Sequence, residues 1–242
     1  MTIRFTVASL SIALAAPLSA QTPPPSAVPP PATVPPLPTT EAPRPATVKV
    51  SIVTTAGPIL LELEKQRGPI TTNNFLRYVD QKRFDGMTFY RAVKVPGADD
   101  LGLVQGGVNN DPRKTLPPIA HEPTIKTGLA HVSGTISMGR NAPGTAAGDF
   151  FIIVGDMPYM DADPTKPGDN LGYAAFGHVV DGMDVVKRML AAPVSATKGV
   201  GALKGQMLAA PITIISARRV PATPAAPAKT GAPAKEATPS KP

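Results

Sequence analysis

The run Met87-Thr88-Phe89-Tyr90-Arg91-Ala92-Val93 sets one guanidinium among apolar side chains. Its period of two places Arg91 on the same face as Phe89 and Val93. Two readings follow from the strand alone: an arginine at a barrel rim paired with a carboxylate, or a fixed array of N–H donors aimed into an apolar groove. Gln105-Gly106-Gly107 closes the next strand-like run, with an amide that both donates and accepts and two glycines that permit close backbone approach. Phe150-Phe151-Ile152-Ile153-Val154 reads as a buried strand in which alternation turns one phenylalanine inward and frees the other. Met138, Tyr159 and Met160 serve equally as core packing or as the apolar wall of a groove.

Other chemistries lack their residues. The chain contains no cysteine, which removes disulfide scaffolds, thiolate metal sites and thiol nucleophiles. His121, His131 and His178 are too widely spaced for a short zinc signature, so no metal is expected. Gly139 to Gly144 followed by Thr145 mimics part of a phosphate loop without its lysine. Asp161-Ala162-Asp163-Pro164-Thr165 begins like a calcium loop but has Lys166 where glycine is required. A Ser-His-Asp assembly has no GxSxG elbow to present its serine. The net charge of +7 divides into +1 before Thr47, +2 after Arg219 and +4 between them, which gives no basic stripe for nucleic acid.

The elements that must position these residues are short. Val48, Val50 and Ile52, then Ile59, Leu61 and Leu63, alternate around Ala56-Gly57-Pro58 as a hairpin with one buried face. After Pro69, Thr71 is placed to cap a helix carrying Phe75, Leu76 and Val79 on one side. Further strands are predicted at 87–93, 101–104, 135–138, 150–154, 174–180 and 212–219. A second helix is predicted from Met183 to Leu190, after Asp181-Gly182. Many short strands, few helices and no internal repeat predict a mostly β domain, a closed antiparallel barrel with two α-helices outside it.

The ends differ in composition. Residues 1–20 carry Arg4, an apolar run from Phe5 to Leu18 and small residues at Ser19 and Ala20, the layout of a cleaved secretory signal peptide rather than a retained anchor. Residues 21–46 hold 11 prolines among 26 residues and read as an extended proline-rich linker, and residues 220–242 hold 6 among 23 and read as a disordered Ala/Pro/Lys tail. That leaves 47–219 as one domain. The expected location is the periplasm or the exterior, with no membrane insertion after cleavage.

Taken together, the motifs resemble the cyclophilin family of peptidyl-prolyl cis-trans isomerases. Thr55-Ala56-Gly57-Pro58-Ile59 with Pro69, Thr71, Asn74 and Phe75 is similar to that family's first hairpin and helix. Phe84 to Arg91 is similar to its FxxxxFHR segment and Gln105-Gly106-Gly107 to its QGG. Ser137-Met138, Phe150-Phe151-Ile152, Tyr159-Met160-Asp161 and Phe176 to Met183 are similar to its SMA, QFFI, WLD and FGxVVxGM segments, in order along nearly the whole domain.

The resemblance implies an eight-stranded barrel capped by two α-helices, a groove for proline-containing unfolded or newly exported polypeptides, and no cofactor. It implies a monomer, with Arg91 catalytic, Gln105 on the substrate backbone, Met138, Phe151 and Met160 as the proline-pocket wall, and Tyr159 in place of a rim tryptophan.

Four departures stand out. Thirteen residues separate Arg91 from Gln105, so Lys94 to Asp100 is expected to form an inserted loop. The family's pocket phenylalanine falls at Gly102, leaving Leu103 or Leu101 to supply that wall. Asp149 replaces a glutamine, placed either to pair with Arg91 and orient it or to hold its donors away from substrate, and Tyr173 replaces a histidine. These departures keep open a second reading, a peptide-binding or chaperone module with little turnover. A third makes the proline-rich ends the functional part.

Overall fold

Val50, Ile52, Ile59, Leu61 and Leu63, the alternating residues of the first two strands, have no exposed surface. The computed structural model describes residues 47–221, and there their shared face lines the inside of a closed barrel. Its strands are β1 (Val48–Thr54), β2 (Gly57–Leu63), β3 (Thr88–Val95), β4 (Ala98–Gly107), β5 (Thr135–Met138), β6 (Asp149–Val154), β7 (Ala175–Asp181) and β8 (Met207–Arg219). They close in the order β1-β2-β7-β5-β6-β4-β3-β8, every pair antiparallel. The expectations for residues 1–20, 21–46 and 222–242 lie outside the described residues.

Two helices close opposite ends of the barrel. Helix α1 (Pro69–Asp80) turns Phe75 into the end where β2 finishes, and its ring meets Phe84, Phe150 and Phe176 at centroid distances of 5.0, 5.3 and 5.2 Å. Such tilted and edge-on contacts suit the aromatic quadrupole. A four-residue turn, α2 (Thr124–Thr127), was not foreseen. Helix α3 (Met183–Ala191) covers the other end, with Val185 close to Gly57 and Leu190 close to Gly102. Among the described residues, no helix is long and apolar enough to cross a membrane.

Two local expectations are corrected. Thr71 does not cap α1: it lies inside the helix, and the first turn is held instead by the buried Glu122 carboxylate. That carboxylate accepts the Ile70 and Thr71 backbone N–H groups and the Thr71 hydroxyl at 3.2, 2.7 and 2.7 Å. An acceptor supplied from fifty residues away satisfies the same orphan donors that a local cap would.

Lys94 to Asp100 is no loop either. The β3–β4 ladder runs to Val95 and Ala98 around Pro96-Gly97, and Asp99 to Leu101 form an irregularity opposite the step from Lys94 to Val95. Added residues lengthened a hairpin, where each can find a backbone partner, rather than an open connection.

Candidate functional site

Alternation alone misplaces the arginine. Phe89 pairs with Gly106 while Arg91 pairs with Gln105, so Tyr90 is an extra residue in β3, a β-bulge; toward β8 the register breaks at the same step, with Leu208 to Pro211 between the paired Met207 and Ile212. The bulge resets the phase of the strand. Phe89 and Ala92 face the barrel core, and Arg91 turns outward with Tyr90 rather than sharing the face of Phe89. Gly106 makes the close approach possible, because a Cβ there would lie 2.9 Å from the Phe89 ring and 3.0 Å from the Thr88 carbonyl oxygen.

Once outward, Arg91 belongs to a row. Directly opposed residues of neighbouring antiparallel strands project to the same side, and the register runs Met207, Arg91, Gln105, Phe151, Ser137 across β8, β3, β4, β6 and β5. Arg91 donates from Nη1 to Gln105 Oε1 at 2.7 Å and from Nε and Nη2 to Gln206 Oε1 at 2.9 and 2.5 Å. Three of its five N–H groups are thereby used and two remain. Burial pushes the Arg91 guanidinium down, opposed by the neighbouring Tyr90 and Tyr173. By binding the Gln105 oxygen, Arg91 also leaves the Gln105 NH2 on the other side of the amide, close to Gly139. Gln206 was missed in the sequence: it lies 115 residues from Arg91, and no local pattern marks it.

Beside the row, Phe151, Ile153, Met157 and Met160 form a second apolar cluster, separate from the barrel core, with Leu103, Val95 and Tyr173 packed against it. Phe151 meets Tyr173 edge-on at 5.3 Å. The Tyr173 N–H donates to the Met160 carbonyl at 3.0 Å, which ties these two walls together. Leu103 packs against this cluster, and Gly102 does not. Gly102 points to the other face, where a Cβ would meet the Val93 carbonyl oxygen at 2.2 Å and Leu190 at 2.8 Å. Tyr159 is 65% exposed and stands at the rim, in a depression shared with Tyr173 and Arg140. Arg140 stacks 5.2 Å over the Tyr173 ring and bonds both Asp169 oxygens at 2.9 and 3.0 Å.

One predicted site residue, Met138, is placed elsewhere, and a second, Asp149, lacks its expected partner. Met138 pairs with Phe150, not Phe151, and is 1% exposed in the barrel core. The sequence reading was one residue out of phase, and the groove side of β5 is given by Ser137 and then by Gly139. Asp149 makes no hydrogen bond or ion pair with Arg91. It is half-buried and lines a cavity of about 300 Å³ with Arg91, Gln105 and Tyr90, and its Oδ1 accepts the Asn109 N–H at 2.8 Å. Burial pushes its carboxyl up, against the Asn109 and Asn110 N–H groups and the Tyr90 hydroxyl. The same burial and the Asp149 charge push the Tyr90 phenol up.

His131 is a further residue the sequence did not single out. Its side chain has no exposed surface, and it bonds Asp161 Oδ1 through Nδ1 at 2.6 Å and Ser137 Oγ through Nε2 at 3.0 Å. The ring stacks on Phe151 at 6.3 Å with a 17° interplanar angle. Burial pushes the imidazole down and Asp161 pushes it up, the former dominating. These bonds have the order of a hydrolytic relay, but Ser137 is fully buried and has no path to a substrate. The assembly instead fixes the back of Phe151.

Comparison with known proteins covers most of the described residues. The family model for cyclophilin type peptidyl-prolyl cis-trans isomerases matches residues 48–218. A peptidyl-prolyl cis-trans isomerase of Acinetobacter baylyi is 35% identical over 154 residues, 62% of this chain and 76% of its own. One from Streptomyces antibioticus is 35% identical over 153 residues, 62% of this chain and 87% of its own. A cyclophilin type isomerase of Cryptosporidium parvum has a similar fold, with a TM-score of 0.57 and 20% identity over 73% of this chain and 99% of its own. The same protein has been crystallised in the presence of the dipeptide Ala-Pro.

Proposed function

The chain belongs to the cyclophilin family of peptidyl-prolyl cis-trans isomerases, and from that premise we propose that Arg91 drives rotation about the X-Pro bond while Phe151, Met160 and Leu103 hold the proline ring. The observation that carries this reading is the row Arg91, Gln105, Phe151: a guanidinium with two uncommitted N–H groups, an amide that it orients and an apolar wall on adjacent strands.

The barrier to be lowered is about 18–20 kcal/mol, because the amide nitrogen lone pair is delocalised into the carbonyl. In the twisted transition state the lone pair is localised on the prolyl nitrogen and becomes an acceptor. A free Arg91 N–H bonds it there and not in the planar ground state, which is the condition for acceleration. The Gln105 NH2 holds a substrate backbone carbonyl, the apolar wall holds the ring, and the remaining side of the bond turns. No proton is transferred and no covalent bond is broken. Asp149 stands apart from Arg91, so the replacement that favoured a binding-only module leaves the Arg91 donors free.

Tyr159 and Tyr173 form the aromatic rim, and Asp149 lines the neighbouring cavity where a side chain flanking the proline would lie. Residues 1–20 support action outside the cytoplasm, in the periplasm or as a secreted monomer, on unfolded or newly exported polypeptides. Recovery of the intact chain from the cytoplasm alone would overturn that setting.

The test is exchange NMR on a short X-Pro peptide with the full chain and its Arg91→Ala variant. The expected result is a loss in kcat of about a hundredfold or more with the melting curve unchanged. An undiminished rate removes Arg91 from the reaction.

A further inference from the structure

Arg91 is a long side chain at the surface end of a bulge, and such a side chain loses most of its rotamer freedom only where neighbours hold it. Gln105 takes one N–H. The firmer hold is Gln206, whose single Oε1 accepts from both Nε and Nη2 and so fixes the plane of the guanidinium, not only its direction. The Gln206 main chain acts at the same place: its carbonyl accepts the Ala92 N–H at 3.0 Å, immediately after the bulge, and Met207 resumes the pairing with Arg91.

The segment that delivers Gln206 is itself braced. The Ser195 N–H donates to the Met207 carbonyl at 2.8 Å, the Ala209 N–H to the Pro193 carbonyl at 2.9 Å, and Val194 bridges Leu208. Gln206 N–H donates to Leu203 O at 3.1 Å, and Leu203 lines the cavity that contains Arg91.

We propose that Gln206 is the positioning residue of the isomerase centre: it holds the Arg91 guanidinium in the plane from which its free N–H groups meet the prolyl nitrogen. This rests on the role given above to Arg91. A group that acts only on the geometry of the transition-state donor changes kcat and leaves KM alone, because the proline ring and the substrate backbone are held by other residues. The Gln206 backbone bond to Ala92 survives any side-chain replacement, so the bulge is retained.

Four full-length variants test it by exchange NMR on an X-Pro peptide: Gln206→Ala, Gln206→Glu, Arg91→Ala and the double variant Arg91→Ala with Gln206→Ala. Gln206→Ala is expected to lower kcat about tenfold with KM within about twofold. Gln206→Glu keeps an acceptor for both N–H groups and is expected to recover to within about threefold of the parent. In the Arg91→Ala background, Gln206→Ala is expected to add nothing. The Arg91 Nε–H resonance, slow to exchange in the parent, is expected to exchange rapidly in Gln206→Ala.

An unchanged kcat in Gln206→Ala, or the same loss with and without Arg91, overturns the positioning role while leaving that of Arg91 intact. A parental rate in Arg91→Ala overturns both.

Discussion

Phe150 and Phe151 are chain neighbours on β6 and belong to different parts of the molecule. Phe150 is packed edge-on against Phe75, Phe84 and Phe89 inside the barrel. Phe151 is held by the His131 ring and Tyr173 on the outside, in a cluster with Met160 and Leu103. Both rings are almost fully buried, so burial does not separate them. What separates them is the company. The inner ring has apolar and aromatic neighbours on every side, while the outer one has polar groups behind it and an Arg91–Gln105 pair beside it. One sheet thus carries a face that holds the fold and a face that carries the proposed site, and a one-residue phase decides which side chain serves which.

The comparison breaks most visibly when the two rings are truncated in turn. Phe150→Ala is expected to cost about 3–5 kcal/mol of stability in a denaturant melt, as for a large core ring replaced by a methyl, with KM unchanged in the folded fraction. Phe151→Ala is expected to cost about half as much stability, because its cluster can relax toward the groove, and to raise KM about tenfold. Equal stability losses with no KM difference would erase the distinction between the faces.

Next in size is Gly106→Val. The added side chain meets Phe89 and the Thr88 carbonyl, so the expected cost is about 1–3 kcal/mol, accompanied by a drop in kcat as the bulge shifts and Arg91 with it. A variant with full kcat would show that the bulge does not set the arginine.

The smallest effect concerns charge. Burial raises the Asp149 carboxyl in the folded state, so its favourable contribution belongs to the protonated form and is lost as pH rises through the folded value. At neutral pH the buried charge is a liability. Asp149→Asn is therefore expected to raise the melting temperature by about 2 °C at pH 7, with the gain shrinking as pH falls into the range where Asp149 protonates. A gain independent of pH would assign it to something other than ionisation.

The strands and both longer helices were legible because periodicity, glycine turns and Pro69 are local signals. That Phe151, Met160, Leu103 and Tyr173 come together, and that Gln105 lies beside Arg91, was legible once the family pattern had ordered them. The failures share one cause, which is that the information lies across the sheet. The Tyr90 bulge depends on what Gly106 does opposite, so reading β3 alone gives Arg91 the wrong neighbours. Met138 is out of phase because only the β5–β6 register says that it opposes Phe150. Glu122 at the start of α1, Gln206 on Arg91 and His131 behind Phe151 are contacts from distant segments, and the polar residues that make them have no periodicity to announce them. Gly106-Gly107 was the one visible hint of the bulge, since glycine within a strand marks close backbone approach.

The closure of β8 onto β1 has a further consequence. An open sheet ends in rows of unpaired N–H and C=O groups that recruit any extended chain as another strand. A protein that handles extended, proline-containing segments would be at constant risk of zipping onto them through its own margins. With every strand of the described residues flanked on both sides, the barrel offers such a segment no open sheet edge as a template. On the proposed function, release requires no strand to be peeled from a sheet, which would let one molecule pass from one client bond to the next without becoming part of an aggregate.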